Sequence, residues 1–417
     1  QPMASADGRH ALVYNGELYE HRQLRQRLAA RGAKFRTRSD TEVLLAALTL
    51  EGEDCLPRLN GMFAFALADC RDETLLIARD PLGIKPLYYY VSPCGDLVFA
   101  SELPSLLLHP QVPRRLDWES LAMLLVDRYV ADPWTLFAGV RQLPPGHLLR
   151  WKAGRVDVRS YCHLMPNPTA MEEHASVQRL DELLDESVRA QMEADVPVGV
   201  LLSGGIDSGT VAALACRNAR RPVKTFSVGF AKPEYDESGL ARQVARHLGT
   251  DHHELRIGQG GFDPDMLDLI IDHVGQPLAD ISCIPMYLVS RFARDHVKVV
   301  LSGDGGDELF GGYEYICWAA RIRRASRRIP WIARRFGVAT LMALGPLARG
   351  RFAAPVRRAR KGLTLTFCEP RTQLRRMLAL WNEEQVAALF SREADPAKLR
   401  PPFPYLPVDA ERTMSPE

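Results

Sequence analysis

The spacing of apolar and polar positions changes character near residue 160. Before it, short alternating runs at Leu12 to Tyr14, Gly61 to Leu67, Thr74 to Arg79, Leu87 to Tyr90, Leu97 to Ala100 and Val156 to Tyr161 predict antiparallel strands. Asn15-Gly16 reads as a hairpin turn. Leu18-Tyr19 then opens a helix through Leu24 and Leu28, and Val43 to Leu48 predicts a second one with Ser39 or Asp40 as its N-cap. This half is α+β.

Beyond Leu143-Pro144-Pro145-Gly146-His147 and the linker Met165 to Thr169, apolar runs become continuous and alternate with helical spacing. A helix from about Ala175 to Met192 carries Leu180, Leu183, Leu184 and Val188 on one face. Buried strands follow at Val198 to Leu202, Val223 to Phe230 and Val297 to Leu301. Between them stand helical stretches at Val211 to Ala215 and, behind the cap Asp236-Glu237-Ser238, from Leu240 to Leu248. Such alternation predicts a doubly wound parallel sheet. The expected division is therefore a domain over 1–160, a linker over 161–175 and a second domain over 176–417.

Composition adds little. The chain's 417 residues allow two or three domains, and 46% hydrophobic with 25% charged residues and a net charge of +2 suggest no special partner. No apolar run is long enough to span a bilayer, and the first residues lack a secretion-signal pattern, so a cytoplasmic protein is expected. The arginines after Tyr313, from Arg321 to Arg335 and from Arg357 to Arg360, read as solvated helical faces, with neither nucleic acid nor membrane as partner. A homodimer stays open. The eight cysteines are scattered singly, and most are expected to be small buried hydrophobes in a reducing compartment. His252 and His253 are adjacent on a strand, so they point to opposite faces and do not chelate one ion. A chain that begins Gln1-Pro2-Met3 and ends Ser415-Pro416-Glu417 reads as a fragment.

Candidate chemistry concentrates in two glycine-rich loops. Ser203-Gly204-Gly205-Ile206-Asp207-Ser208 ends one apolar strand and opens a helix. Converging backbone amides, two hydroxyls and the positive helix end make an anion site of phosphate or pyrophosphate size, although glycine turns also close such junctions without a ligand. Ser302-Gly303-Asp304-Gly305-Gly306-Asp307-Glu308 ends another strand, and its carboxylates suit Mg²⁺ carried on phosphates. No Walker sequence is present, so γ-phosphate transfer is not expected.

Ser203 to Ser208 resembles the Ser-Gly-Gly-x-Asp-Ser loop of the N-type ATP pyrophosphatases. Further blocks are Tyr14 to Tyr19, Phe35 to Glu42, Gly61 to Phe65, Ala78 to Tyr89, Phe99 to Glu102 and Ser302 to Tyr313. In this order they resemble the glutamine-hydrolysing asparagine synthetases, which join a class II glutamine amidotransferase domain to an ATP pyrophosphatase domain. The resemblance implies an N-terminal-nucleophile hydrolase αββα sandwich, incomplete here, followed by a doubly wound nucleotide-binding α/β domain. It also implies that glutamine supplies ammonia to a carboxylate, expected to be the β-carboxylate of aspartate, activated by ATP as an acyl-adenylate with AMP and pyrophosphate released. Asn15 and Gly16 would form the oxyanion hole, and Asp40 and Glu17 would complete the glutamine pocket. Leu202, Ser203, Gly204, Gly205, Asp207, Ser208, Val228, Ser302 and Gly303 would contact ATP. Asp304 would sit by the adenylate, Asp207 with Asp307 would hold Mg²⁺-pyrophosphate, and Asp280-Ile281-Ser282 would face the acceptor.

Some features depart from the family pattern. Gln1-Pro2-Met3 looks like an internal family segment, so the nucleophilic Cys and the Arg that holds the glutamine carboxylate are expected upstream. The family's Asp-Arg-x-x-Met stretch and its catalytic Lys are not found before Glu417. Glu20 stands for Asn, Gly209 for Ser, and Asp304 where Glu is frequent. Other readings are an amidotransferase for a peptide or glycan precursor, a β-lactam-forming homologue, and a non-catalytic homologue.

Overall fold

The computed structural model describes residues 1–165, 167–258, 264–280, 282–344, 353–381 and 383–390. Pro166 of the expected linker, Ile281 of the expected acceptor segment and the second domain beyond residue 390 lie outside the described residues. The described residues divide into two compact units, one of 1–121 with 130–302, the other of 122–129 with 303–390.

The first unit opens with β1 (Met3–Ala4), β2 (His10–Leu18), α1 (His21–Ala30), α2 (Asp40–Glu51), β3 (Gly61–Asp69), β4 (Thr74–Arg79), β5 (Tyr88–Val91), β6 (Leu97–Ala100) and α3 (Leu103–Leu107). After α4 (Trp118–Asp127), which ends in the other unit, come β7 (Arg141–Gln142), β8 (His147–Lys152) and β9 (Arg155–Ser160). One antiparallel sheet runs β1-β2-β3-β4-β8-β9, and a second runs β6-β5-β7.

Side-chain alternation builds the layers, because successive strand residues face opposite ways. Leu12 and Tyr14 of β2 join Phe63 and Phe65 of β3 beneath Leu28 of α1 and Val43, Leu44 and Leu48 of α2. Their neighbours Val13, Ala64 and Ala66, with Ile77 and Leu149, meet Leu87, Tyr89, Leu97 and Phe99 of the second sheet. The far face of that sheet, through Tyr88, Tyr90 and Val98, packs on Leu103 and Leu106 of α3. The result is the helix–sheet–sheet–helix stack expected for this half.

The Ala78 to Tyr89 block closes one end of the sandwich. Arg79, almost fully buried, donates to the carbonyls of Gly83 at 2.8 Å, Lys85 at 2.9 Å and Leu143 at 2.7 Å, and to Asp132 at 3.0 Å. Buried Asp80 accepts from the amides of Phe63, Leu82, Ile84 and Lys85. A loop with so much inward-facing backbone needs such partners.

Local expectations shift at several points. Asn15-Gly16 is no turn: β2 continues through both, pairing Asn15 with Ala64 and Gly16 with Phe63. The glycine serves close approach, since a Cβ at 16 would lie 2.2 Å from the Met62 carbonyl oxygen and 2.8 Å from Phe63 Cα. Gly16→Ala is therefore expected to lower unfolding free energy by about 1–3 kcal/mol; an unchanged denaturant midpoint would refute the close-approach reading. Leu18 belongs to the strand and pairs with Gly61, so α1 begins only at His21. Ser39, not Asp40, caps α2, accepting from Thr41 N at 3.0 Å. Among the cysteines only Cys55 is buried, and Cys70, Cys94 and Cys317 are exposed; burial pushes the Cys55 thiol up to about 12.

The same unit continues with α5 (Glu173–Gln191), β10 (Val198–Leu201), α6 (Ile206–Asn218), β11 (Lys224–Phe230), α7 (Ser238–Leu248), β12 (Asp251–Ile257), α8 (Pro264–Val274), α9 (Cys283–Arg294) and β13 (Val299–Leu301). The strands form one parallel sheet in the order β12-β11-β10-β13. Val200, Leu202, Ala212 and Ala215 pack with Ala241 and Ala245 on one face, while Phe226, Val289, Ala293 and Val297 pack on the other. Helices thus cover both faces, as expected of a doubly wound sheet. Val188 of α5 is buried, but Leu180 and Leu183 are exposed, so the apolar stripe reaches the core only near the helix C-terminus. His252 bonds Thr225 Oγ1 and Ser227 Oγ, whereas His253 stacks on Phe226. Among the described residues no helix is long and apolar enough to cross a membrane.

Just after α8, Gly275 has φ +82° and a Cβ there would lie 2.6 Å from Pro104 Cδ, while Gln276 Oε1 accepts from Leu136 N at 3.2 Å. Left-handed strain and collision together predict that Gly275→Ala costs about 1–3 kcal/mol. An unaltered melting temperature would contradict this.

The second unit holds the end of α4 with α10 (Gly306–Phe310), α11 (Glu314–Arg328), α12 (Trp331–Leu344), α13 (Ala353–Leu365), α14 (Pro370–Leu378) and α15 (Glu383–Leu389). Ala122 and Val126 pack on Val386, and Arg375 clamps Asp127 at 2.5 Å. The Arg321 guanidinium lies 5.3 Å from the Trp318 ring.

Candidate active sites

The first site is a cavity of about 240 Å³ between the two antiparallel sheets, lined by Gln1, Tyr14, Asn15, Phe65, Phe99 and Ser101 among others. Strand alternation turns Tyr14 inward and leaves Asn15 exposed. Asn15 Nδ2 donates to Ser101 Oγ at 3.1 Å. The Gln1 carboxamide brackets Tyr14, donating to its carbonyl and accepting from its amide, both at 2.7 Å. Asp40 Oδ2 accepts from Tyr14 Oη at 3.1 Å and from Leu18 N at 3.0 Å. Burial, then the Asp40 carboxylate, pushes the Tyr14 hydroxyl well above its usual range. Desolvation raises the Glu17 carboxyl too, and Asp40 adds to it. The structure thus groups Asn15, Gly16, Glu17 and Asp40 around the end of β2. Ser101 escaped the sequence reading as a site residue although it stood in the Phe99 to Glu102 block.

The second site lies where the parallel sheet reverses its strand order, the crevice in which open α/β sheets bind ligands. Val200 pairs with Leu301, so Leu202 and Ser302 leave neighbouring strands at the same end. Leu202 is buried and its amide still bonds Phe226 O at 2.8 Å. Gly204 has φ +89°, and a Cβ there would lie 2.7 Å from Ala241 N, so α7 packs directly against the loop. Inside the loop Ser203 Oγ lies 2.9 Å from Ser208 Oγ, and Ser203 Oγ also accepts from Gly205 N at 3.2 Å. Ser208 Oγ accepts from Ser203 N at 3.2 Å. Gly205 precedes α6 with no side-chain cap, and Asp207 stands half-buried in the first turn. A 13-residue helix therefore presents its N-terminus at the strand ends, a setting that favours anions. Val228 is half-buried on β11.

In the second unit, Gly303 leads to exposed Asp304, and Asp307 sits half-buried in α10, its carbonyl accepting from Gly312 N at 3.1 Å. Tyr313 Oη donates to Glu308, which holds that carboxyl below its usual range and pushes the tyrosine up to about 12. In the first unit, Asp280 Oδ1 accepts from Ser282 N at 2.9 Å. Among the described residues no group of three or more His, Cys, Asp or Glu side chains is placed to hold a metal ion.

A sandwich of antiparallel sheets with a cavity between them, followed by a parallel sheet with a glycine-rich loop at its switch point, defines a two-domain amidotransferase-type architecture. The glutamine amidotransferase domain model matches residues 1–162, and the asparagine synthase model matches residues 179–402, more than half of the chain. The protein belongs to the asparagine synthase family. It is 39% identical over 315 residues to asparagine synthetase (glutamine-hydrolyzing) 1 of Bacillus subtilis, covering 75% of this chain and 49% of that one. It is 35% identical over 336 residues to asparagine synthetase B (glutamine-hydrolyzing) of Escherichia coli K12, covering 76% and 54%. The chain spans about half the length of these relatives.

Proposed function

We propose that the complete product of this gene is an ATP-dependent, glutamine-hydrolysing amide synthetase of the cytoplasm, with residues 1–160 as its glutaminase part and 176–417 in its synthetase part. Aspartate is the proposed acceptor and asparagine the product. The observation that carries this reading is the Ser203 to Ser208 loop at the switch point, opened toward an anion by the uncapped start of α6.

In this reading Ser203, Gly204, Gly205 and Ser208 hold the pyrophosphate portion of ATP, and Leu202, Val228, Ser302 and Gly303 line the nucleotide. The loop hydroxyls are pre-ordered by their bonds to each other and to the Ser203 and Gly205 amides, so little reorganisation accompanies binding. Activation is necessary because a carboxylate resists amines until one of its oxygens is joined to AMP, with pyrophosphate released; AMP then leaves as ammonia attacks the acyl carbon. Asp304 sits by the adenylate. Asp207 and Asp307 would hold Mg²⁺, and the few protein carboxylates fit an ion that takes most of its remaining ligands from phosphates and water. When bound, that ion would offset the charge of the departing pyrophosphate.

In the glutaminase part, Asn15 Nδ2 and the Gly16 amide stabilise the oxyanion formed from the glutamine side-chain amide, while Asp40 pairs with the α-ammonium group and Glu17 helps line that pocket. Asp40 is held for this by Tyr14 Oη and Leu18 N. None of the described residues lining the cavity is a cysteine.

The test is pyrophosphate release from ATP by the complete gene product with a panel of acids, supplied with glutamine or with ammonia. Release dependent on aspartate, with AMP and asparagine formed, is expected. Release with a different acid alone would replace the acceptor, and no release with any acid would overturn the synthetase reading.

A further inference from the structure

Asn15, on β2 of the first antiparallel sheet, and Ser101, just past β6 of the second, lie 86 positions apart, yet both line the same cavity and are joined by the 3.1 Å bond from Asn15 Nδ2 to Ser101 Oγ. Asn15 stands exposed on β2 opposite Ala64, a residue too small to wedge the carboxamide in place. Rotation about the terminal torsion of asparagine is broad, so packing alone does not fix the angle at which Nδ2 is presented to a ligand. A donor turned out of line would lose most of its hold on the developing oxyanion.

We propose that Ser101 is a positioning residue for glutamine hydrolysis: its hydroxyl accepts one Nδ2 hydrogen of Asn15 and thereby holds the amide with its second Nδ2 hydrogen available to the oxyanion. The inference rests on the glutaminase reading above. Because β6 ends at Ala100 and delivers Ser101 to the cavity, the second sheet sets the aim of a donor carried by the first. Ser101 touches neither the attacking thiol nor the scissile amide in this scheme, so its effect runs wholly through Asn15.

The experiment uses the complete gene product and compares Ser101→Ala, Ser101→Cys, Asn15→Ala and the double variant Ser101→Ala/Asn15→Ala. For Ser101→Ala, kcat for glutamine hydrolysis should fall about tenfold, the effect of one modest hydrogen bond, with KM for glutamine unchanged. Ammonia-dependent pyrophosphate release should be unchanged, which also reports correct folding. Ser101→Cys, nearly isosteric but a weak acceptor, should fall in between and provides the test if the alanine variant does not fold. In the Asn15→Ala background, Ser101→Ala should add no further loss. Full hydrolysis by Ser101→Ala beside a crippled Asn15→Ala would overturn the positioning role. So would multiplicative losses in the double variant, or a raised KM with kcat intact. Wild-type hydrolysis by Asn15→Ala would instead overturn the oxyanion reading beneath it.

Discussion

Asp207→Ala in the complete gene product is expected to abolish pyrophosphate release with either nitrogen donor, a loss of at least the roughly 10²–10³ typical of removing a group that works on developing charge. Glutamine hydrolysis should survive in the same variant. Asp207 lies in the first turn of α6, next to the Ser203–Ser208 hydroxyl pair, at the end of the sheet where the strand order reverses. An acidic side chain there stabilises the helix start by about 0.3–1 kcal/mol, too little for its loss to unfold the domain. The two assays run on one preparation separate the outcomes. Undiminished pyrophosphate release would remove Asp207 from the mechanism, and equal loss of both activities would point to a folding defect.

The second large effect is expected at the other site. Asn15→Ala should lower the rate of glutamine hydrolysis about 10²–10³-fold, the usual consequence of deleting one oxyanion donor. Synthesis supplied with ammonia should persist. The substitution is structurally mild: residue 15 is exposed, and its place on β2 is fixed by backbone pairing with Ala64, which alanine retains. Equal loss with both nitrogen donors would contradict the assignment of Asn15 to the oxyanion.

Much of the fold was legible because strands of the first half alternate cleanly. Leu12, Phe63 and Phe65 face the helices while Val13, Ala64 and Ala66 face the second sheet, so the period-two pattern carries the layer order. The parallel sheet was legible from unbroken runs such as Val198 to Leu202, which read as buried on both faces. Asn15-Gly16 was misread because the same dipeptide serves a tight turn and a tight strand contact. Only the Met62 and Phe63 backbone at Gly16 separates the two. The choice between Ser39 and Asp40 as cap also needed the fold: Asp40 is engaged by Tyr14 and Leu18, which lie some twenty residues away, and Ser39 is left to cap.

By itself the sequence determined the chemistry that depends on residue order. The Ser203 to Ser208 and Ser302 to Glu308 loops, their place after apolar strands, and the Asn15 to Asp40 set are local patterns, and local patterns carry over to the backbone whenever strand and helix periods are clear. Only the tertiary structure decided which of these groups meet across the chain. The β10–β13 pairing that brings Leu202 and Ser302 to one sheet end, the Ser101 hydroxyl on the Asn15 amide, and the Gly275 seat on Pro104 all join segments dozens of residues apart. Such contacts follow from how sheets stack and cross over, which no window along the chain contains.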